Sequence, residues 1–245
     1  MIPLFDRAGR RQRWPIMTLL LIAINVAVFA YEVSLPTQAL GCLIHDYSVI
    51  PHYLALGKVQ PSDPACPEYT TPEPLIVPVI TSMFLHAGWL HIAGNMLFLL
   101  IFGDNVEDRL GHIGFLLFYL LCGAVAVLTQ TFVDPHSTLP VIGASGAIAG
   151  VLAAYLVLFP GARVLTLVLV VLVNLPAWLL IGLWIIFQAL SGLAVLQGMS
   201  GTTGGVAYFA HLGGFAIGFI IALLFRWFGP PAPAPPKRNA PRPSS

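Results

Sequence analysis

Charge is what this chain has least of. Asp, Glu, Lys and Arg make up 9% of its 245 residues, where a soluble domain carries about 25%. With 58% hydrophobic residues and a mean hydropathy of +0.87, the composition is that of a polytopic membrane protein. A formal net charge of +1 gives nucleic acid no reason to bind. Acids are missing altogether beyond Asp134. No HExxH occurs, so a membrane zinc protease lacks both its ligand pair and its glutamate base. His86, His91 and His211 are candidates for zinc, but no acid or cysteine is placed to help them, so neither a metal nor a cofactor is expected. No internal repeat is visible. Together with the lack of membrane acids, this argues against a transporter with a histidine proton relay. Cysteines number three. Cys42 and Cys66 share one polar loop, where either a disulfide or two free thiols fits. Cys122 reads as a small core residue.

What the chain has is long apolar runs. A helical span needs about 20 apolar residues. Stretches near 15–33, 89–104, 112–132, 144–160, 176–197 and 205–228 qualify or nearly do. The fold class expected is therefore an all-α polytopic membrane protein with six transmembrane helices. The first run is too long for a signal-peptide core and has no convincing cleavage site after it, so it reads as a retained helix. Residues 1–14 form a basic N-terminus. A long outer loop covers 34–85, and 229–245 is a Pro-rich tail expected to be disordered. The apolar, β-branched run at 164–173 is half a span long. It reads as an interfacial or packed segment on the cytoplasmic side.

Lys and Arg collect in cytoplasmic segments near membrane ends. Arg7, Arg10, Arg11 and Arg13 put the N-terminus inside. Six spans then place Arg109, Arg163, Arg226, Lys237, Arg238 and Arg242 inside as well. Only Lys58 of the 11 basic residues is left outside. Both termini are thus expected in the cytoplasm. Helices 2, 4 and 6 then run from outside to inside and start near the outer face.

Those three starts carry polar groups, which are costly in a membrane and are functional candidates by default. Helix 2 brings His86, His91 and Asn95; helix 4 brings Ser145; helix 6 brings His211. Each has a bland reading. A lone serine packs helices, a lone histidine bonds a neighbouring helix, and His86 sits at the interface. Convergence at one shallow depth favours a shared site. His91 and Asn95 are i, i+4 and share one helix face. His211, Gly214 and Gly218 share another. Gly146 and Gly150 offer a matching small-xxx-small face on helix 4. Packing of helices 4 and 6 through these glycines brings His211 within reach of Ser145. A base beside a hydroxyl is the minimum for an activated serine. Asp134 lies in the loop before helix 4, poorly placed to complete a triad, so the economical reading is a Ser–His dyad.

GASG around Ser145, AHLGGFAIG around His211 and HAGWLHIAGN around His91 and Asn95 resemble the three signatures of rhomboid intramembrane serine proteases. FGDNVEDRLG at 102–111 is similar to that family's segment after helix 2, and NLPAWLLIGLWIIFQ at 174–188 to its fifth helix. The resemblance covers roughly 15–228. It implies a six-helix core with a water-filled cavity open to the outside; the family often adds a seventh helix or a soluble domain, and this chain is expected to have neither. It implies Ser145 as nucleophile, His211 as general base, and His91 and Asn95 as oxyanion donors together with the Ser145 N–H. Gly143, Gly146 and Gly214 would permit close packing near the site. The activity implied is cleavage of transmembrane segments of other membrane proteins near the outer face, with helix 5 bordering the lateral route of the substrate. Partners would be those substrates and the bilayer, with oligomeric state open. The location implied is a bacterial inner membrane. A proteolytically dead relative acting as an escort is the competing class; loss of the serine or histidine would favour it, and both are present. One position departs from the pattern. The residue four after the serine is often an aromatic that stacks on the histidine, and here it is Ala149.

Overall fold

The computed structural model describes residues 1–6, 8, 12–58, 60–61, 65–66, 73–197 and 206–230. In chain order the elements are β1 (Ile2–Asp6), α1 (Ile16–Ser34), α2 (Thr37–Tyr47), α3 (Pro51–Ala55), α4 (Ile76–Thr81), α5 (Trp89–Phe98), α6 (Asp104–Leu110), α7 (His112–Val133), α8 (Ser145–Leu158), β2 (Arg163–Val168), β3 (Val171–Pro176), α9 (Ala177–Leu196) and α10 (Tyr208–Phe228). A π-helical turn, Leu99–Gly103, joins α5 to α6 without a break. The second helix therefore runs from Trp89 to Leu110, beyond the limit of 104 read from hydropathy. It takes in most of FGDNVEDRLG and stops at Gly111, whose φ of 74° closes it.

The fold is mostly helical, as the sequence predicts, but the count differs. Among the described residues, five helices are long and apolar enough to cross a membrane: Ile16–Ser34, Trp89–Leu110, His112–Val133, Ala177–Leu196 and Tyr208–Phe228. The helix expected over 144–160 is α8, only 14 residues, or about 21 Å at 1.5 Å per residue. All of α8 is buried except Ser145 and Leu156. Enclosed by its neighbours, it need not present a full apolar length to lipid.

A helix apolar all round must be buried, and α8 is the axis on which α7 and α10 pack. Its contacts with α10 run backbone to backbone. A Cβ built at Gly218 would stand 2.5 Å from the Cα of Gly150, and one at Gly150 would stand 2.5 Å from Sγ of Cys122 on α7. Cys122 is a free, buried cysteine packed in this core.

Acids and bases of the bundle cap helix ends. The Glu107 carboxylate accepts the backbone N–H groups of Met17 and Thr18, each at 2.8 Å, and the Thr18 hydroxyl at 2.7 Å. These are first-turn donors of α1, which have no acceptor within their own helix. At the other end of α8, Arg226 Nη1 donates to the carbonyl of Val157 at 2.9 Å.

One element class was not predicted. β1, β2 and β3 form an antiparallel sheet in that order. The run at 164–173 makes its hairpin, with Leu169 at a φ of 55° in the turn. β-branched residues favour an extended chain. The partner strand β1 comes from within the segment expected as a basic N-terminus. Asp6 ties it to the helices by accepting the Tyr155 hydroxyl at 2.6 Å and Asn105 Nδ2 at 3.1 Å. Arg7, Arg10, Arg11 and the tail beyond 230, on which the expectation of disorder falls, lie outside the described residues.

Within the loop between α1 and α5, Cys42 on α2 pairs with Cys66 as a disulfide across a sequence separation of 24. In the chain-entropy picture closing such a loop stabilises by roughly 3 kcal/mol. Reduction should therefore lower the thermal midpoint in detergent while helix content at room temperature is unchanged. A midpoint indifferent to reductant would contradict this.

Candidate active site

The site lies at the end of the bundle opposite the sheet, where α5, α8 and α10 begin. Ser145 is the first residue of α8, and its backbone N–H has no acceptor within the helix. The chain reaches it through Gly143, with a φ of 113°, whose N–H donates to the carbonyl of Ser82 at 2.8 Å. The positive φ favours glycine. So does space: a Cβ at Gly143 would stand 2.7 Å from Nε2 of His91 and 3.8 Å from Nδ2 of Asn95. The backbone leading to the serine thus runs directly past these two side chains.

Ser145 Oγ and His211 Nε2 are 2.7 Å apart. His211 is buried in the first turn of α10. That turn is held from α7, where Gln130 Oε1 accepts the Ala210 N–H at 3.3 Å. The two helices approach closely because Gly214 faces Gly146; a Cβ at Gly214 would fall on the Gly146 carbonyl oxygen. The second ring nitrogen of His211, Nδ1, is 2.7 Å from Oε1 of Gln188, a buried amide on α9. Trp184, one turn earlier on α9, sets its ring 5.6 Å from that of His211 at 40°. Where the resemblance leads one to expect an aromatic at position 149, the structure has Ala149 buried in α8 and an aromatic supplied from α9.

His91 accepts the Ala87 N–H at Nδ1, 3.3 Å away. A neutral imidazole carries one hydrogen, so Nε2 of His91 is its donor. Asn95, one turn on, is buried, and its Nδ2 has no hydrogen-bond partner among the described residues. Both line a cavity of about 240 Å³ shared with Ser145, His211, Phe98 and Trp184. A second, apolar cavity of about 270 Å³ adjoins it between α5 and α9, sharing Phe98, Leu152 and Trp184.

His86 lies outside this cavity, behind His91, with ring centroids 5.0 Å apart. Its backbone N–H donates to the buried Glu32 carboxylate, at 3.1 Å to Oε1. Burial, and secondarily the neighbouring His91, pushes its imidazole down to about 4, so it is neutral at physiological pH. Asp134 follows the last turn of α7, its N–H donating to the Gln130 carbonyl. The partner of His211 Nδ1 is Gln188 instead.

Sequence reasoning missed Gln188 and Trp184. A signal for Gln188 was present: it is the one amide in the 20 residues of α9. A count of acids alone passes over it.

The sequence matches the model of the Rhomboid domain family over residues 75–228. It is 34% identical over 158 residues to Rhomboid-like protein 11, chloroplastic, of Arabidopsis thaliana, covering 61% of this chain and 52% of the relative. It is 30% identical over 215 residues to Rhomboid protein 1, mitochondrial, of Saccharomyces cerevisiae, covering 85% and 51%. A shorter match, 31% over 80 residues, is to Inactive rhomboid protein 1 of Drosophila melanogaster, covering 33% and 6%. The chain spans about half the length of the first and second of these. Their names place them in chloroplast and mitochondrion, so the expected bacterial inner membrane draws no support from them. A family match over 75–228, with signature residues converging on one cavity among apolar helices, leaves one assignment: this integral, multi-pass membrane protein belongs to the rhomboid family.

Proposed function

We propose that the chain is an intramembrane serine endopeptidase that cleaves transmembrane segments of other membrane proteins by a Ser–His dyad. The observation that carries this reading is the 2.7 Å contact between Ser145 Oγ and His211 Nε2 at a cavity that Asn95, whose Nδ2 has no hydrogen-bond partner among the described residues, also lines. His211 Nε2 takes the hydroxyl proton as Ser145 Oγ attacks the scissile carbonyl carbon. Charge collects on the carbonyl oxygen. Nε2–H of His91, Nδ2–H of Asn95 and the Ser145 N–H at the start of α8 are the donors that receive it. His211 then gives its proton to the leaving amine. Water attacks the acyl-enzyme by the reverse route and frees Ser145.

Water must reach this chemistry. At about 21 Å, α8 spans only two-thirds of a hydrocarbon core of about 30 Å, which leaves room for an outward-facing wet cavity above Ser145. The protease domain in this reading is 15–228, flanked by 1–14 and 229–245, with both termini in the cytoplasm. Cysteine accessibility at a Ser245→Cys site checks the orientation: labelling from outside intact cells would reverse it.

The function is tested with a serine-reactive fluorophosphonate probe in detergent and with cleavage of a transmembrane substrate in liposomes. Wild-type protein should be labelled and should cleave. Ser145→Ala should do neither, and His211→Ala should lose nearly all of both. Labelling that persists in Ser145→Ala, or a folded wild-type protein that neither labels nor cleaves any of a panel of transmembrane segments, would leave an inactive, binding member of the family.

A further inference from the structure

We infer that Gln188 is a positioning residue that fixes His211 in its Nδ1–H tautomer. For its catalytic meaning this rests on the protease reading; the tautomer itself does not. A carboxamide oxygen only accepts hydrogen bonds. With Gln188 Oε1 at 2.7 Å, Nδ1 is the nitrogen that carries the hydrogen. The neutral ring has one N–H, so Nε2 presents its lone pair to the Ser145 hydroxyl, also 2.7 Å away. That is the form a general base requires. With the amide turned over, its NH2 would face Nδ1. Nε2 would then bear the hydrogen and could not take the serine proton.

Other surroundings of the ring agree. Trp184 and Gln188 are i, i+4 on α9, so one helix face supplies both an aromatic beside the ring and a hydrogen-bond acceptor at its edge. The dyad residues sit on α8 and α10, yet the imidazole is oriented from α9. Gln188 is only 5% exposed. An ionised carboxylate at such a place would be costly to bury, whereas an amide directs the tautomer without adding charge.

The test uses the full chain with [15N]histidine, in detergent micelles, and assigns the His211 ring signals by their loss in His211→Ala. Wild-type His211 should show the Nδ1–H pattern. Gln188→Met, close in length but without a strong acceptor, and Gln188→Leu, a second apolar variant in case the first misfolds, should shift the ring toward the other tautomer. In liposomes both should lower kcat by about 30-fold, the scale of one buried hydrogen bond, with KM unchanged. Gln188→Glu, which keeps an acceptor, should hold the ring in the Nδ1–H form, with a lowered thermal midpoint from its buried carboxylate. A wild-type ring in the Nε2–H form overturns the inference whether or not the protein cleaves anything. So does an apolar variant with unchanged tautomer and unchanged kcat. Absent cleavage and labelling in wild type strike the protease reading alone, because the ring signals are read without turnover.

Discussion

Gly214→Val should abolish turnover, with a loss greater than about 10²-fold, while the protein still inserts and stays folded. α10 meets α8 without side chains between them at this level. A Cβ at Gly214 would fall on the Gly146 carbonyl oxygen, where an ordinary contact needs well over 3 Å. Neither backbone can yield cheaply. Gly146 is itself pressed toward α7, where a Cβ would stand 2.5 Å from the Cβ of Ala126. Valine therefore drives α10 away from α8. Ser145 is the neighbour of Gly146, and His211 is one turn before Gly214, so the displacement falls on the 2.7 Å contact between them. A misplacement of about 1 Å can cost 10²-fold in rate. The control is Gly182→Ala on α9, where an added Cβ meets nothing within 4 Å; it should keep its activity. Cleavage in liposomes, with circular dichroism and gel filtration for folding, decides the matter. A fully active Gly214→Val would mean that the dyad does not depend on this seam.

Asn95→Ala should lower kcat by about 10²-fold with little change in KM, on the scale of a lost oxyanion donor. Asn95 is buried, and its Nδ2 is without a partner among the described residues, so nothing in the resting protein competes for it. Water has poor access to replace it. His91 is half-buried at the cavity wall. There a water can stand in for its Nε2–H, so His91→Ala should lose less. Fluorophosphonate labelling should fall in both variants but persist, because Ser145 and His211 remain. Asp134→Ala should change little, since His211 Nδ1 is occupied by Gln188. Unimpaired turnover with both His91 and Asn95 replaced by alanine would return them to helix packing. A dead Asp134→Ala would bring an acid back into the mechanism.

Scarcity of charge and the apolar runs set the membrane class and all but one of the long spans. The i, i+4 spacing of His91 and Asn95 and the glycine spacings on α8 and α10 were legible because they belong to single helices. A helix of known period displays its own faces in its sequence. Contacts across elements are not so displayed. Gln188 stands 23 residues from His211 and meets it only because α9 turns that face inward. The aromatic beside His211 was sought on α8, where Ala149 stands, and comes from α9 through Trp184.

Other features were decided by tertiary structure for the same reason. The apolar run at 164–173 was visible, but its pairing with Ile2–Asp6 joins strands about 160 residues apart in sequence, and no local period encodes that. Glu107 looked like one acid in a charged stretch; it is the cap of α1, because the end of the second helix lies against the start of the first. The pairing of Cys42 with Cys66 was one of two readings until the loop brought their Cα atoms to 5.7 Å. By itself the sequence determined which groups could do chemistry and which helix face each occupied. Their mutual distances were decided by packing, because a few ångströms of helix rotation or approach separate a hydrogen bond from no contact.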